Sequence, residues 1–352
     1  MNDNMSLYKP DWLEAKERMT DWWAGKKADR AVARIIAPAK RIKPDIGDKT
    51  DDPVFLNLEN EIKSVFWGGE AFPFHNICIG PMYDQLVYYG AKPIFTKETT
   101  WYESHFKSLD EIIEYKPETD GNKWWQDLID LVKKSAERSK GRYLVSVSGV
   151  AAVIDMLAYL IGNEELLLAM KDEPEKVIAA RNAVVKHCAP TFDERFNISN
   201  ECNDEGSIDW IGVWAPGKFI TNQCDLSVMI SPEMFDKFVF DELNAVCLMH
   251  NQGAYHLDGE DQIKHLDSIL KLHNIKLIQW VPATKANDPN YVDPLNWIGL
   301  FKRIQNAGCR VYISTPCEKI KELLNKIDRD LVYLSTWCPD EETAAQVLRD
   351  LK

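Results

Sequence analysis

The sequence predicts an α/β protein, and more narrowly a (β/α)8 TIM barrel with an N-terminal helical extension. Short β-rich runs alternate with amphipathic helical stretches, the rhythm of βα units. Eight such runs are available. At 352 residues the chain also exceeds the ~250 that such a barrel needs, leaving roughly 100 for N-terminal helices and loop insertions. No repeat, low-complexity tract or Pro/Ser-rich linker interrupts residues 1–352, which are expected to form a single domain. An open doubly wound sheet is the structural competitor, but no GxGxxG turn supports a nucleotide-binding version of it.

The expected strands are AVARIIAP (31–38), HNICIG (75–80), YLVSVSG (143–149), WIGVW (210–214), AYHLD (254–258), KLIQWVP (276–282), RVYIST (310–315) and LVYLSTWC (331–338). Helices are expected at 54–66, 151–161, 174–188, 232–249, 260–272, 293–307, 317–327 and 340–351. In Ser231-Pro232-Glu233-Met234 a capping serine precedes proline at the first helical position, which marks a helix start.

The formal charge of −13 argues against nucleic acid or an anionic membrane as partner, since both require basic patches. A small-molecule substrate fits better. The opening MNDNMSLYKPDW lacks a basic segment followed by an apolar one, and no run approaches ~18 apolar residues, so a cytoplasmic location is expected. Eight cysteines between Cys78 and Cys338 form no CxxC pair and read as free thiols. Twelve tryptophans include several beside turn residues, as in Trp214-Ala215-Pro216-Gly217 and Trp337-Cys338-Pro339. Buried tryptophan usually belongs to a core, but pocket rims also favour large aromatic walls.

Barrel chemistry lies at the carboxyl ends of the strands. Those ends carry His256, Asp258, Trp280, Thr315, Cys317 and Cys338. His256 and Asp258 are two apart on one strand, so an imidazole and a carboxylate point to the same face, as in a metal site or an acid/base pair. Asp258 also stands where it could N-cap the following helix. Gln223 and Asp225 share strand parity and could face a substrate, with Cys224 turned away. Trp214, Trp280 and Trp337 are the aromatic candidates for a pocket wall, against a plain core role for each.

Several segments resemble the uroporphyrinogen decarboxylase superfamily: MISPEMFDKFV (229–239), YHLDGEDQIKHLDSIL (255–270), IQWVPA (278–283) and the closing strand with Cys338 before Pro-Asp-Glu. AGKKADRAVARIIAP (24–38), GEAFPFHNICIGPMYDQLVYYGAKPIF (69–95) and DEPEKVIAARNAV (172–184) fit the same pattern, so the resemblance spans nearly the whole chain. It implies the same barrel. The decarboxylase itself uses an arginine-rich N-terminal motif and an aspartate; here Arg30 and Arg34 stand without such a loop, and Asn76 lies roughly where the aspartate is expected.

The corrinoid-linked and thiol-directed methyltransferases of the superfamily hold zinc through a His-x-Cys pair and a distant cysteine. The resemblance therefore implies zinc on His256, Asp258 and Cys338, with aspartate replacing the first cysteine, an exchange that zinc accepts. The expected function is zinc-dependent transfer of a methyl group between a small O-, N- or S-methylated compound and a separate corrinoid protein or thiol acceptor. His256, Asp258 and Asp225 would carry the chemistry, and Trp214, Gln223, Trp280 and Trp337 would hold the substrate. The chain lacks an Asp-x-His-x-x-Gly corrinoid loop, so a corrinoid would arrive on a partner protein. The alternatives are a cofactor-free decarboxylase or lyase with a His256–Asp258 acid/base pair, and a non-catalytic ligand-binding barrel.

Overall fold

The computed structural model describes residues 8–41, 52–77, 79–80, 83–97, 99–139, 142–146, 152–282 and 292–351. Among them the strands are β1 (Val32–Pro38), β2 (Val65–Gly69), β3 (Phe74–His75), β4 (Lys92–Phe95), β5 (Thr100–Glu103), β6 (Leu144–Val145), β7 (Gly206–Ile208), β8 (Trp214–Pro216), β9 (Phe219–Asn222), β10 (Gln252–Asp258), β11 (Ile275–Val281), β12 (Arg310–Ser314) and β13 (Val332–Trp337). Seven form the central sheet in the order β2-β1-β13-β12-β11-β10-β9. Every neighbouring pair from β1 to β9 is parallel, and β2 runs antiparallel along β1.

The α/β class and the mostly parallel sheet agree with expectation, whereas a closed barrel is not seen among the described residues. The ladder runs from β2 to β9 without joining its ends, and β3 and β6 form a separate parallel pair. The expected strands 75–80 and 143–149 survive as those short segments, with residues 78 and 147–149 outside the described ones. Expected strand 210–214 is a turn. Gly212 adopts φ +72° and donates to the Asp209 carbonyl at 2.9 Å, while Trp214–Pro216 pairs back on β7; the sheet strand lies further on, at Phe219–Asn222. Aromatic and β-branched composition marks the local segment but not its partner.

Alternation along the parallel strands builds two apolar layers. Val32, Phe219, Ala254, Leu277, Tyr312 and Tyr333 face inward onto the helix Trp12–Trp23, which buries Trp12, Ala15, Met19, Trp22 and Trp23. Residues of opposite parity, among them Ile35, Ile220, Tyr255, Leu257, Ile278, Val311, Ile313 and Leu334, pack outward against the surrounding helices. Leu144 of β6 and Phe74 of β3 join the inner layer. Beneath it Arg30 makes a two-pronged ion pair with the fully buried Glu70, whose carboxylate also accepts from Arg18 and from the Ala33 amide at 2.9 Å. Glu70 therefore ties the N-terminal helix to the first strand, and Arg30 is used in structure.

At the start of β10, Gly253 is required by close approach. A Cβ there would stand 2.3 Å from Cε1 of His250, a contact that no side chain tolerates. His250 itself is buried, and burial lowers its pKa from 6.5 to about 4. The helices expected at 232–249 and 260–272 are each interrupted. The first splits at Val239 into Pro232–Phe238 and Phe240–Cys247; the second opens as a 3-10 segment, Glu260–His265, before a short helix, Leu266–Ile269. Among the described residues no helix is long and apolar enough to cross a membrane.

Candidate active site

β10 carries Ala254, His256 and Asp258 on one face. Ala254 belongs to the inner apolar layer, so His256 and Asp258 continue that face upward toward the carboxyl end of the strand. Both remain accessible: the side chain of His256 is 14% exposed and that of Asp258 33%, with Nε2 and Oδ2 separated by 4.0 Å. On the neighbouring parallel strand Gln279 stands in register with His256, and its Oε1 lies 2.7 Å from Nδ1 of the imidazole. Trp210, from the turn that replaces the expected strand, meets the same ring edge-on, with centroids 5.0 Å apart.

Asp258 does not cap a helix. Gly259, at φ +87°, occupies the position before Glu260–His265, and the Asp258 amide itself donates to Oε1 of Gln262 at 3.2 Å. One carboxylate oxygen of Asp258 is buried without a hydrogen-bond partner among the described residues. Buried acceptors are normally satisfied, so this oxygen has capacity to spare for a proton donor or a ligand.

Asp225 opens the 3-10 segment Asp225–Met229 directly after β9 and accepts from Nε2 of Gln223 at 3.2 Å. Its carboxyl stays in contact with solvent while protein surrounds most of it, and this desolvation raises its pKa above the ordinary value; His256 opposes the shift and Asp258 adds to it. The intervening Cys224 is fully buried in the outer layer. Behind it, Asp155 accepts from the amides of Asp225 and Leu226 at 2.7 and 2.8 Å, holding the start of the segment in place. Burial, reinforced by Asp225, pushes the carboxyl of Asp155 up to about 8.

The other expected site residues fall elsewhere. Trp214 is buried in the lower inner layer, with its indole N–H donating to the Asn203 carbonyl at 3.1 Å and its own carbonyl accepting from Trp23 at 3.0 Å. Trp280 has the opposite parity to Gln279: it is buried in the outer layer, with its ring 4.6 Å from that of Trp297. Trp337 is 57% exposed. None of the three walls in His256. Cys338 follows the parity of Val332 and Leu334 into the outer layer and lies against Cys317; burial, then the neighbouring thiol, raises it to about 12.

The zinc set implied by the resemblance is thus divided between two faces of one sheet, His256 and Asp258 inward and Cys338 outward. Among the described residues no group of three or more His, Cys, Asp or Glu side chains is arranged to hold a metal ion. The donors do not fit a zinc ion bound by His256, Asp258 and Cys338 together, because zinc–ligand bonds of ~2.0–2.3 Å demand convergence on one point. What the inner face does bring together is an imidazole, two carboxylates, a positioning amide and an indole edge. Proton transfer is a chemistry that these groups can perform.

Sequence reasoning missed Gln279 and Trp210. Gln279 has the parity of Leu277, a signal present in IQWVP but unreadable until the faces are known; Trp210 lay in a segment taken for a strand. Arg34, also of inward parity, reaches Oγ of Ser335 at 3.4 Å.

No family model and no curated protein matches the chain. Among solved structures, the fold is similar to that of a methyltransferase from Methanosarcina mazei, with a TM-score of 0.59 over 96% of this chain and 97% of that one, at 11% identity. A likeness at that identity is one of fold, and it extends end to end through both chains.

Proposed function

We propose that the chain is a methyl-transferring enzyme of the uroporphyrinogen decarboxylase superfamily, a single domain in which β3 and β6 join the six parallel strands β1 and β9–β13 to make a (β/α)8 barrel, with β2 as an antiparallel addition beside β1. The observation that carries this reading is the pairing of His256 and Asp258, with Nε2 and Oδ2 4.0 Å apart, on the accessible inner face at the carboxyl end of a parallel strand, where Asp225 is near enough to act on both electrostatically. The end-to-end fold likeness to a methyltransferase supports it.

In this reading a small O-, N- or S-methylated compound lies above His256. Its methyl carbon passes to a nucleophilic acceptor, a reduced corrinoid on a separate protein or a thiolate, and the bonding pair stays on the heteroatom it leaves. Asp225, with its raised pKa, or protonated His256 then delivers a proton to that heteroatom, and Asp258 steadies the imidazolium. Zinc enters only as an outcome of metal analysis, since Cys338 does not join the other two donors. The division of that donor set favours a second reading, a cofactor-free decarboxylase or lyase in which His256 and Asp258 act as acid and base.

Protein purified without a chelator or histidine tag would be assayed with free cob(I)alamin as acceptor and a panel of O-, N- and S-methylated compounds, following methylcobalamin. Turnover of one methyl-donor class is expected, falling by about 10²–10⁴ in His256→Gln as the proton-transferring group is lost. Carbon dioxide release from a carboxylate panel, with no methyl transfer, would establish the second reading instead.

A further inference from the structure

We infer that Gln279 is a positioning residue that fixes His256 in the Nδ1–H tautomer, leaving the Nε2 lone pair as the nitrogen that handles the proton. The inference rests on the reading of His256 as the reacting imidazole and deepens it.

Three constraints act on this ring. The parallel register of β10 and β11 places Gln279 directly beside His256, and the 2.7 Å contact joins Oε1, a pure acceptor, to Nδ1. A carbonyl oxygen at that distance requires a hydrogen on the nitrogen it faces. Gln279 is buried, so water competes poorly for the same bond. Trp210, edge-on at an interplanar angle of 77°, closes one side of the ring and opposes a flip that would exchange the two nitrogens.

With Nδ1 occupied, Nε2 is the atom presented to the accessible face, 4.0 Å from Oδ2 of Asp258. The ring nitrogen that is free to react is set by the hydrogen bond made by the other. Asp258 on the same strand stands 4.0 Å from Nε2, and Asp225, in the 3-10 segment after the preceding strand, acts on the ring electrostatically, while Gln279 contributes a neutral acceptor. A neutral partner orients the ring without adding a third negative charge.

The test reads protonation directly. Protein carrying 15N-labelled histidine, with the signal of His256 assigned by its disappearance in His256→Gln, would be examined by long-range proton–nitrogen correlation. The inference expects a protonated Nδ1 and an unprotonated Nε2 in the neutral ring. Gln279→Leu should move the population toward Nε2–H, and Gln279→Glu should keep Nδ1–H. A wild-type ring with Nε2–H would overturn the inference, as would a folded Gln279→Leu protein whose tautomer is unchanged. The wild-type spectrum decides even if the leucine variant fails to fold. The spectra need no substrate, so an Nδ1–H ring in a protein without methyl transfer would sink the functional reading and leave the tautomer assignment standing.

Discussion

The lower and upper halves of the inner sheet face are made by the same strands at the same parity, yet they do opposite things. Ala254 and Leu277 pack in an apolar layer with Trp22, Trp23 and Phe219; two residues further along the same strands, His256 and Gln279 pair with each other beside the edge of Trp210. The first half buries aromatic surface, and the second exposes titratable groups on a rigid support. Strand continuity thus fixes the position of the reactive imidazole through a layer that takes no part in the chemistry, which is how a parallel sheet separates stability from function.

The strongest way to break the comparison is to damage the floor. Trp22 is 1% exposed, lies 4.7 Å beneath the Arg310 guanidinium and donates its indole N–H to the Asp330 carbonyl at 3.0 Å. Trp22→Ala should lower the unfolding free energy by about 3–5 kcal/mol, through lost burial and the cavity left behind. Urea denaturation measures this. An alanine variant with wild-type stability would show that the N-terminal helix is not the support described.

Two histidines at opposite ends of β10 sharpen the same contrast. His250 is buried over Gly253 and held neutral, with its pKa lowered to about 4 by desolvation, whereas His256 is accessible. The unfolded chain takes up a proton at His250 below about pH 6.5, and the folded chain does so only near pH 4. Stability therefore falls as pH drops through that window, by about 3 kcal/mol for this group at 1.36 kcal/mol per pH unit. His75, also lowered to about 4 by burial, acts in the same direction. Unfolding free energies at pH 7 and pH 4.5 should converge in part for His250→Asn relative to wild type. An identical pH slope in the two proteins would show that His250 is not the buried neutral group.

The smallest effect is expected at Asp258, the residue that the sequence offered both as a cap and as a site group. Because Gly259 holds the position before the 3-10 segment, Asp258→Ser and Asp258→Ala should each change stability by less than about 0.5 kcal/mol, against the 0.5–2 kcal/mol that loss of a true cap costs. A melting-temperature comparison of the two variants reads this. Alanine markedly below serine would restore the cap.

Much of the central sheet was legible in the sequence because its strands are short apolar runs bounded by turns: 31–38, 254–258, 276–282, 310–315 and 331–338 all overlap observed strands, with β10 and β11 starting two and one residues earlier than expected. The i, i+2 spacing also sufficed to put His256 and Asp258 on one face. Which face that is could not be read. A parallel sheet covered on both sides is apolar on both sides, so Ile278 and Trp280 look as fit for the interior as Leu277 and Gln279. Helix Trp12–Trp23 breaks the tie by covering one side, and with it Trp280 and Cys338 go outward while Gln279 comes in to His256. Local pattern determined the strands and their parity, because both depend on neighbours along the chain. The membership of the site was decided only by packing between elements distant in sequence, where Gln279 meets His256 across 23 positions and Asp155 braces Asp225 across 70.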